Sequence, residues 1–476
     1  MAVSRRTMML AGGAVVAGGA AIPAGRHLSW RGQDFTRPGY NSDYPEAPAG
    51  EESWMNWSGV ERATPNAISL PTSEEELSQL IAGTNGRVRP FGSGHSFTGL
   101  VPSEGVMVDV SRLAGLQSID AETGHATFGA GTRLFQMATE LAGAGLALPN
   151  LPDIDVQTLA GSFSTGTHGT GETLTALHDH IEAFRMVTAN GDILDVTRET
   201  NPHLFAAGRV SLGALGVMTQ YTLRAVPMFN LRRKVWVEKI DTIIEQAEGL
   251  AAQHRNFEFY YFPHTGLAAG ISHDLHEGPI SGKGESEDDS TLEDLKGLRD
   301  SMGWSPWLRR KIIGAALPRG VVEDVSDSSY KLLATTRPIK FNEMEYHLPR
   351  ANGLKGLREV IAKLEKRKDV FFPMEVRFIA PDDAWLSPFN DGPRMSIAIH
   401  AAVDEPYDYF FSDIEPLHRA NGGRPHWGKH HSLGRDELSV LYPKFGDFMA
   451  LRREMDPAGK FLNPHLARLF GEPFDA

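Results

Sequence analysis

The chain has 476 residues, 41% hydrophobic and 22% charged, which is enough apolar content to bury the cores of about two or three domains. A formal net charge of -13 and a pI near 5.8 repel phosphate backbones and exclude nucleic acid as a partner. The absence of cysteine excludes disulfides, thiolate metal sites and thiol nucleophiles together.

The N-terminus carries Ser4-Arg5-Arg6-Thr7-Met8-Met9-Leu10 ahead of a short apolar run over 10–24. Paired arginines before a run too short and too glycine-rich to span a bilayer read as a twin-arginine export leader, residues 1–30. The expected destination is periplasmic or extracellular, the export machinery is a transient partner, and the mature protein is soluble. No later segment reaches the ~18 consecutive apolar residues of a membrane span. Residues 31–53 read as a linker. A capping box then opens a helix: Thr72 caps, Glu75 answers, Leu77, Leu80 and Ile81 face inward, and Gly83 ends it. Alternation marks strands over 106–110 and 125–128, and Leu134, Met137, Ala138 and Leu141 mark a helix over 132–141. Segments 181–187 and 193–196 flank Asn190-Gly191, a hairpin signal, and 217–226 is a further strand. Residues 50–227 thus form one α+β unit. A second pattern occupies 228–441. It holds a strand from Val235, a helix capped by Asp241, an aromatic strand over 257–262 and a polar, acidic surface insertion over 273–300. A helix through Leu354, Leu357, Ile361 and Leu364 and strands over 370–379 and 395–403 follow. Residues 442–476 are helical again and are expected to return to the first unit.

Three glycine-rich stretches carry candidate chemistry. In Arg89-Pro-Phe-Gly-Ser-Gly-His-Ser-Phe97, Gly92 and Gly94 permit positive φ, so successive N–H groups can converge on an anion. An ordinary tight turn is the alternative. The Rossmann fingerprint is excluded, because Phe97 stands where its third glycine belongs. In Leu159-Ala-Gly-Ser-Phe-Ser-Thr-Gly-Thr-His-Gly-Thr-Gly171, glycines and hydroxyls alternate around His168, which suits a loop against a flat or charged ligand. Ser211-Leu-Gly-Ala-Leu-Gly-Val217 offers another close backbone approach before a strand. Further on, Glu375 and Arg377 are two apart on a strand and face one side, either as a buried salt bridge or as a substrate-binding pair.

In this order the three stretches resemble the FAD-binding domain of the vanillyl-alcohol-oxidase type. Beyond the leader the chain is similar to the sugar-1,4-lactone oxidase and alditol oxidase branch of that superfamily. Further matches are Asn56-Trp-Ser-Gly59, Tyr261-Phe-Pro-His-Thr265, Glu343-Met-Glu-Tyr346, Glu375-Val-Arg377, Gly423-Arg-Pro-His-Trp-Gly-Lys429 and Asp456-Pro-Ala-Gly-Lys-Phe-Leu-Asn463. The resemblance implies an α+β fold: a two-subdomain FAD-binding domain, and a substrate (cap) domain with a mixed or antiparallel sheet flanked by helices. It implies FAD contacts from Arg89, Gly92, Ser93, Gly94, His95, Ser96, Pro152, Gly161, Ser162, Thr165, Gly166, His168, Gly169, Gly216, Val217, His426 and Lys429, with His95 joined covalently to the flavin 8α-methyl. Ser162 also aligns with a substrate-contacting serine of alditol oxidases. The implied reaction is hydride transfer from a carbohydrate-derived alcohol to flavin N5. Arg377 and Lys429 stabilise negative charge, Glu375 orients the hydroxyl or accepts its proton, and His400 touches substrate. Pro152 stands where relatives that exclude oxygen tend to carry alanine, which favours an oxidase; the acceptor is O2 or an electron-acceptor protein.

Phe372-Pro-Met-Glu-Val-Arg-Phe and Gly422-Gly-Arg-Pro-His-Trp-Gly-Lys favour an aldono-1,4-lactone of gulono, galactono or arabinono type over an open-chain alditol. Ala402, where alditol oxidases carry threonine, points the same way. Other classes fare worse. His426, His430 and His431 have zinc-like spacing, but Pro425 and Gly428 disfavour the helix it needs, so no metal is expected. Gly94-His-Ser-Phe-Thr98 is no Gly-x-Ser-x-Gly elbow. A non-catalytic exported sugar-binding protein would keep a substrate cleft without needing three glycine loops.

Overall fold

In the computed structural model, which describes residues 24–47, 52–284, 288–335 and 339–474, the first half of the chain builds two main sheets and the second half one large sheet. The twin-arginine motif lies outside the described residues. β1 (Ala67–Ser69), β2 (Val88–Phe91) and β3 (Val106–Asp109) form a parallel sheet in the order β1-β3-β2. Parallel strands need a crossover, supplied between β1 and β2 by α1 (Glu74–Gly83), which buries Leu77 and Ile81. Its cap falls one residue later than expected. Ser73 accepts from the Glu76 N–H, and the Glu76 carboxylate turns back to the N–H and hydroxyl of Thr72.

β4 (Leu116–Asp120), β5 (His125–Gly129), β6 (Ile181–Val187), β7 (Ile193–Thr197) and β8 (Val217–Arg224) form an antiparallel sheet in the order β7-β6-β8-β5-β4. The Asn190-Gly191 turn joins β6 to β7, with Gly191 at φ +90°. α2 (Leu134–Gly143) buries all four apolar residues named from the sequence. The 159–171 stretch, expected as a loop, begins instead as α3 (Leu159–Thr165). Thr158 caps it by accepting from Gly161 N–H, and Gly166 ends it in the left-handed region at φ 79°. Leu159 and Phe163, one turn apart, are both fully buried. That pair drives the helix, and the glycine-rich composition hid it.

The large sheet is antiparallel throughout. It contains β9 (Asn230–Lys239), β10 (Asn256–Phe262), β11 (Leu267–Leu275), β12 (Gly320–Ser328), β13 (Phe341–Pro349), β14 (Met374–Ile379), β15 (Arg394–Ala402) and β16 (Arg424–Pro425), in the order β12-β9-β11-β10-β14-β15-β13-β16. α4 (Ile240–Gln253) packs on it, with Asp241 in its first turn rather than at its cap.

The acidic stretch over 273–300 is exposed through its middle, over 275–284, but its two ends are anchored: β11 runs to Leu275, and α5 (Asp288–Met302) buries Leu295 and Arg299. The Arg299 guanidinium donates to Glu405 (2.9 Å) and to the Asp369 carbonyl (2.7 Å). Its partners are remote in sequence, so composition reads the segment as exposed. A helix at Ala24–Arg31, inside the expected leader, packs on α5, and Trp30 Nε1 donates to the Arg299 carbonyl at 2.8 Å. α6 (Pro306–Ala316) follows α5, and α7 (Arg350–Leu364) lies against β13 and β15.

The C-terminal segment, with helices at Phe445–Met455 and Pro464–Phe470, runs back along the first sheet. Val88 N–H donates to the Lys460 carbonyl (2.9 Å), and Asn463 donates to the carbonyls of Gly99 (2.8 Å) and Pro102 (2.9 Å). Among the described residues no helix is long and apolar enough to cross a membrane.

Candidate functional site

The loop after β2 and the 211–217 loop are tied together by one buried side chain. The Arg89 guanidinium donates to the carbonyls of Leu100 (2.6 Å), Gly213 (2.8 Å), Phe461 (3.0 Å) and Leu212. Around it Gly92, Ser93, Gly94, His95, Ser96, Gly161, Thr165, Gly216 and Val217 line one narrow cleft, joined by His426 and Lys429 from the far end of the chain. Glycine backbone forms part of the wall. A Cβ on Gly92 would lie 2.1 Å from Thr158 Oγ1, and one on Gly216 2.3 Å from Met186 Cε. Gly94 holds φ +69°, a region that disfavours other residues. A flat or phosphorylated ligand can therefore lie directly against N–H groups. This glycine-walled cradle fits FAD.

Not every expected contact reaches the cleft. Ser162 does not line the cleft; its buried Oγ donates to the Leu159 carbonyl at 3.1 Å. Gly166 is the helix C-cap, and Gly169 is required because a Cβ there would lie 2.4 Å from the Leu151 carbonyl. Pro152 and His168 line the neighbouring cavity instead.

His95 stacks on Trp57, with ring centroids 5.2 Å apart and planes at 28°. Burial, then Lys429 and Arg133, push its pKa down to about 4. A neutral imidazole is a poor phosphate partner and a competent carbon nucleophile.

The second cavity, about 520 Å³, is within the range of small-molecule sites. Its floor is one face of the large sheet, where period-2 alternation lines up Glu258 and Tyr260 on β10, Glu375 and Arg377 on β14, His400 on β15, and Glu343 and Glu345 on β13. Arg377 bridges two carboxylates: Nε to Glu258 Oε2 at 3.0 Å, and Nη2 to Glu375. The Tyr260 hydroxyl donates to Glu375. Burial works against the Arg377 charge, but Glu375 and Glu258 outweigh it and hold the guanidinium protonated. Burial pushes Glu258 up to about 7, with Glu375 adding and Arg377 opposing. His400 Nδ1 lies 3.0 Å from the Pro373 carbonyl, which fixes the ring and leaves Nε2 3.7 Å from Glu343. Lys429 Nζ donates to Glu343. Behind it, Glu345 accepts from His168 Nε2 (2.9 Å) and from Ser396, with His347 and His426 packed around. Burial opposes the Glu345 charge, yet these histidines hold its carboxyl well below the usual range.

The two cavities share Gln157, His426 and Lys429, so the cleft opens onto the sheet face beside the acid–arginine pair. Sequence reasoning missed Glu258, Tyr260, Gln157 and Trp57. Glu258 was legible as the one charge in an aromatic strand, two residues before Tyr260 and thus on its face. His430 is stacked on Tyr407 and His431 packs against Trp427, and among the described residues the group whose ligand atoms converge is His168, Glu345 and His426 instead.

Residues 221–469 match the D-arabinono-1,4-lactone oxidase family, and residues 65–197 match an FAD binding domain. The chain is 35% identical to an L-gulono-1,4-lactone dehydrogenase of Mycobacterium tuberculosis, over 88% of this chain and 99% of the relative. It is 30% identical to the L-gulonolactone oxidase of Bos taurus, over 88% and 98%, and 27% identical to an alditol oxidase of a Streptomyces species, over 87% and 98%. The crystal structure of a cholesterol oxidase from B. sterolicum superposes with a TM-score of 0.70 at 15% identity, covering 91% of this chain and 98% of that one, and shares the fold. The acid–arginine face, the glycine cleft and these matches lead to one conclusion: the chain belongs to the D-arabinono-1,4-lactone oxidase family and carries an FAD-binding domain.

Proposed function

We propose that the chain oxidises an alcohol group of an aldono-1,4-lactone of gulono, galactono or arabinono type, with FAD in the glycine cleft and substrate on the Glu375–Arg377 face. The observation that carries this reading is the junction at Lys429, which lines both cavities and brings a cation to the point where they meet. FAD, when bound, supplies the hydride acceptor, and the electrons pass on to O2 or to another acceptor. Arg377 and Lys429 stabilise negative charge on the reacting oxygen. Glu375 orients the hydroxyl and accepts its proton, and His400, fixed through Nδ1, presents Nε2 to a neighbouring hydroxyl. Pro152, on the cavity wall, supports oxidase turnover. The FAD-binding domain spans residues 50–227, the substrate cap 228–441, and residues 442–476 return to the FAD-binding domain.

His95 attaches the flavin covalently, and its neutral imidazole supports that role. A covalent bond keeps the cofactor through export of the folded protein, which the twin-arginine leader directs to the periplasm or beyond.

Steady-state turnover of gulono- and galactono-1,4-lactone against xylitol and sorbitol tests the substrate. Preference for the lactones is expected, and preference for the polyols makes the chain an alditol oxidase. Anaerobic reduction followed by air or a cytochrome identifies the acceptor. A colourless protein that binds sugars without oxidising them overturns the enzymatic reading.

A further inference from the structure

Glu258 and Arg377 are directly opposite each other across the β10–β14 pair, as are Tyr260 and Glu375. Directly opposed side chains on one face of an antiparallel pair are within ~5 Å at Cβ. The four side chains form a square bonded along three sides: Glu258 bonds the Arg377 Nε, the Arg377 Nη2 bonds Glu375, and Tyr260 bonds Glu375. We propose that Glu258 is a positioning residue for this oxidation: it holds Arg377 from the neighbouring strand, and through that guanidinium it shares with Glu375 the proton that Glu375 takes from the substrate's hydroxyl. This rests on the oxidation proposed above.

The charge balance favours a shared proton. One guanidinium offsets one carboxylate, and a second carboxylate in the same nearly buried square is stabilised by a proton. The charged groups facing Glu258 are Arg377 and Glu375 from β14, Arg233 from β9 and Asp153 from the loop before α3, with Tyr260 beside it on β10. Burial leads, and the sum sets Glu258 at about 7. Below that pH the pair holds a proton; above it the pair is ready to receive one. In the reaction the substrate O–H bond breaks towards the pair, its electron pair becomes part of the new C=O bond, and the hydride leaves the same carbon for FAD. The proton then passes to solvent as the pair re-ionises.

Glu258→Gln removes one of the two carboxylates that Arg377 bridges, so a proton can no longer be shared between them. The acid limb of kcat/KM against pH, near 7 in the wild type, is expected to move down by about one pH unit or more, with a lower plateau. Glu258→Asp is expected to restore the limb towards the wild-type position. Independently of turnover, difference infrared spectra on the substrate-free holoenzyme are expected to show a protonated carboxyl band below pH ~7 that disappears in Glu258→Gln. An acid limb that coincides in wild type and Glu258→Gln overturns the proposal, as does an infrared band unchanged by the substitution. If the wild type oxidises neither lactone nor polyol, the functional reading fails, and the infrared band alone decides whether the pair shares a proton.

Discussion

Lys429 donates to Glu343 where the two cavities meet, and the same ammonium lies 5.0 Å from the centre of the Phe97 ring. Two partners fix a side chain that is otherwise the most mobile kind of cation. The charge is held in place before any substrate arrives, which is the condition under which a donor stabilises developing charge. Lys429→Met is expected to lower kcat by about 10² to 10³-fold, the range for removing one such donor. Rapid-reaction reduction with the best lactone checks this. An unchanged rate of reduction with normal flavin content removes Lys429 from the chemistry.

The Trp57–His95 stack gives a second expectation. The wild type is expected to keep its yellow colour in the pellet after acid precipitation, and His95→Ala to release it. Because burial, Lys429 and Arg133 hold His95 neutral down to about pH 4, attachment of added FAD to apoprotein should vary little with imidazole protonation above pH ~5. It should slow as the pH falls through about 4 and the ring protonates. Flavin lost from the wild-type pellet would end the covalent claim and leave the family assignment standing.

How much of this was legible in the sequence follows from range. Short-range signals worked where local chemistry dominates: Asn190-Gly191 set a hairpin, and Leu134, Met137, Ala138 and Leu141 set a helix. Residues two apart on a strand also worked, which is why Glu375 and Arg377 emerge on one face of β14. Signals failed where a residue's meaning depends on distant partners. Arg299 lies in an acidic segment but is buried against Glu405 and Asp369. Glu258 stands out in its own strand, but it meets Arg377 only when β14 pairs with β10. The glycine stretches were misread in one direction: the capped helix that α3 forms from Thr158 onward needs only the buried Leu159 and Phe163, not a helix-like composition.

Arg89 illustrates a cofactor-cleft residue whose work is structural. Its guanidinium satisfies carbonyls on three separate segments, and no shorter side chain spans them. Arg89→Met leaves those buried acceptors unpaired, each costing on the order of 1–3 kcal/mol unless water enters. The expected loss is about 3 kcal/mol or more, in apoprotein and holoprotein alike, with weaker FAD binding as a consequence. Urea unfolding of the apoprotein measures it. A variant as stable as the wild type that only binds FAD poorly would make Arg89 a direct ligand instead.

The last expectation concerns acid. Burial pushes His95, His180 and His430 down to about 4, and His273, His418, His426 and His465 down to about 3. In the unfolded chain each titrates near ~6.5. Between ~6.5 and those lowered values the unfolded state binds more protons than the folded one, so stability falls as pH falls. At pH ~5 each such histidine costs about 2 kcal/mol relative to neutral pH. Asp383, held at about 2 by Arg198 and Arg209 against burial, acts in the same direction below its ordinary range. Glu61 and Glu258, raised to about 7 chiefly by burial, act oppositely, since the folded state holds their protons first. Seven histidines against two glutamates of similar individual size decide the sign. The protein is expected to be markedly less stable at pH ~5 than at pH ~7.5 in urea unfolding. His418 is the cleanest probe, because it stacks flat on Tyr346 at 4.9 Å and burial alone accounts for its shift. His418→Phe keeps the stack and removes the titration, so it should shrink the stability difference between the two pH values by about 2 kcal/mol. A His418→Phe protein with the full wild-type pH dependence would show that this ring is not kept neutral by burial.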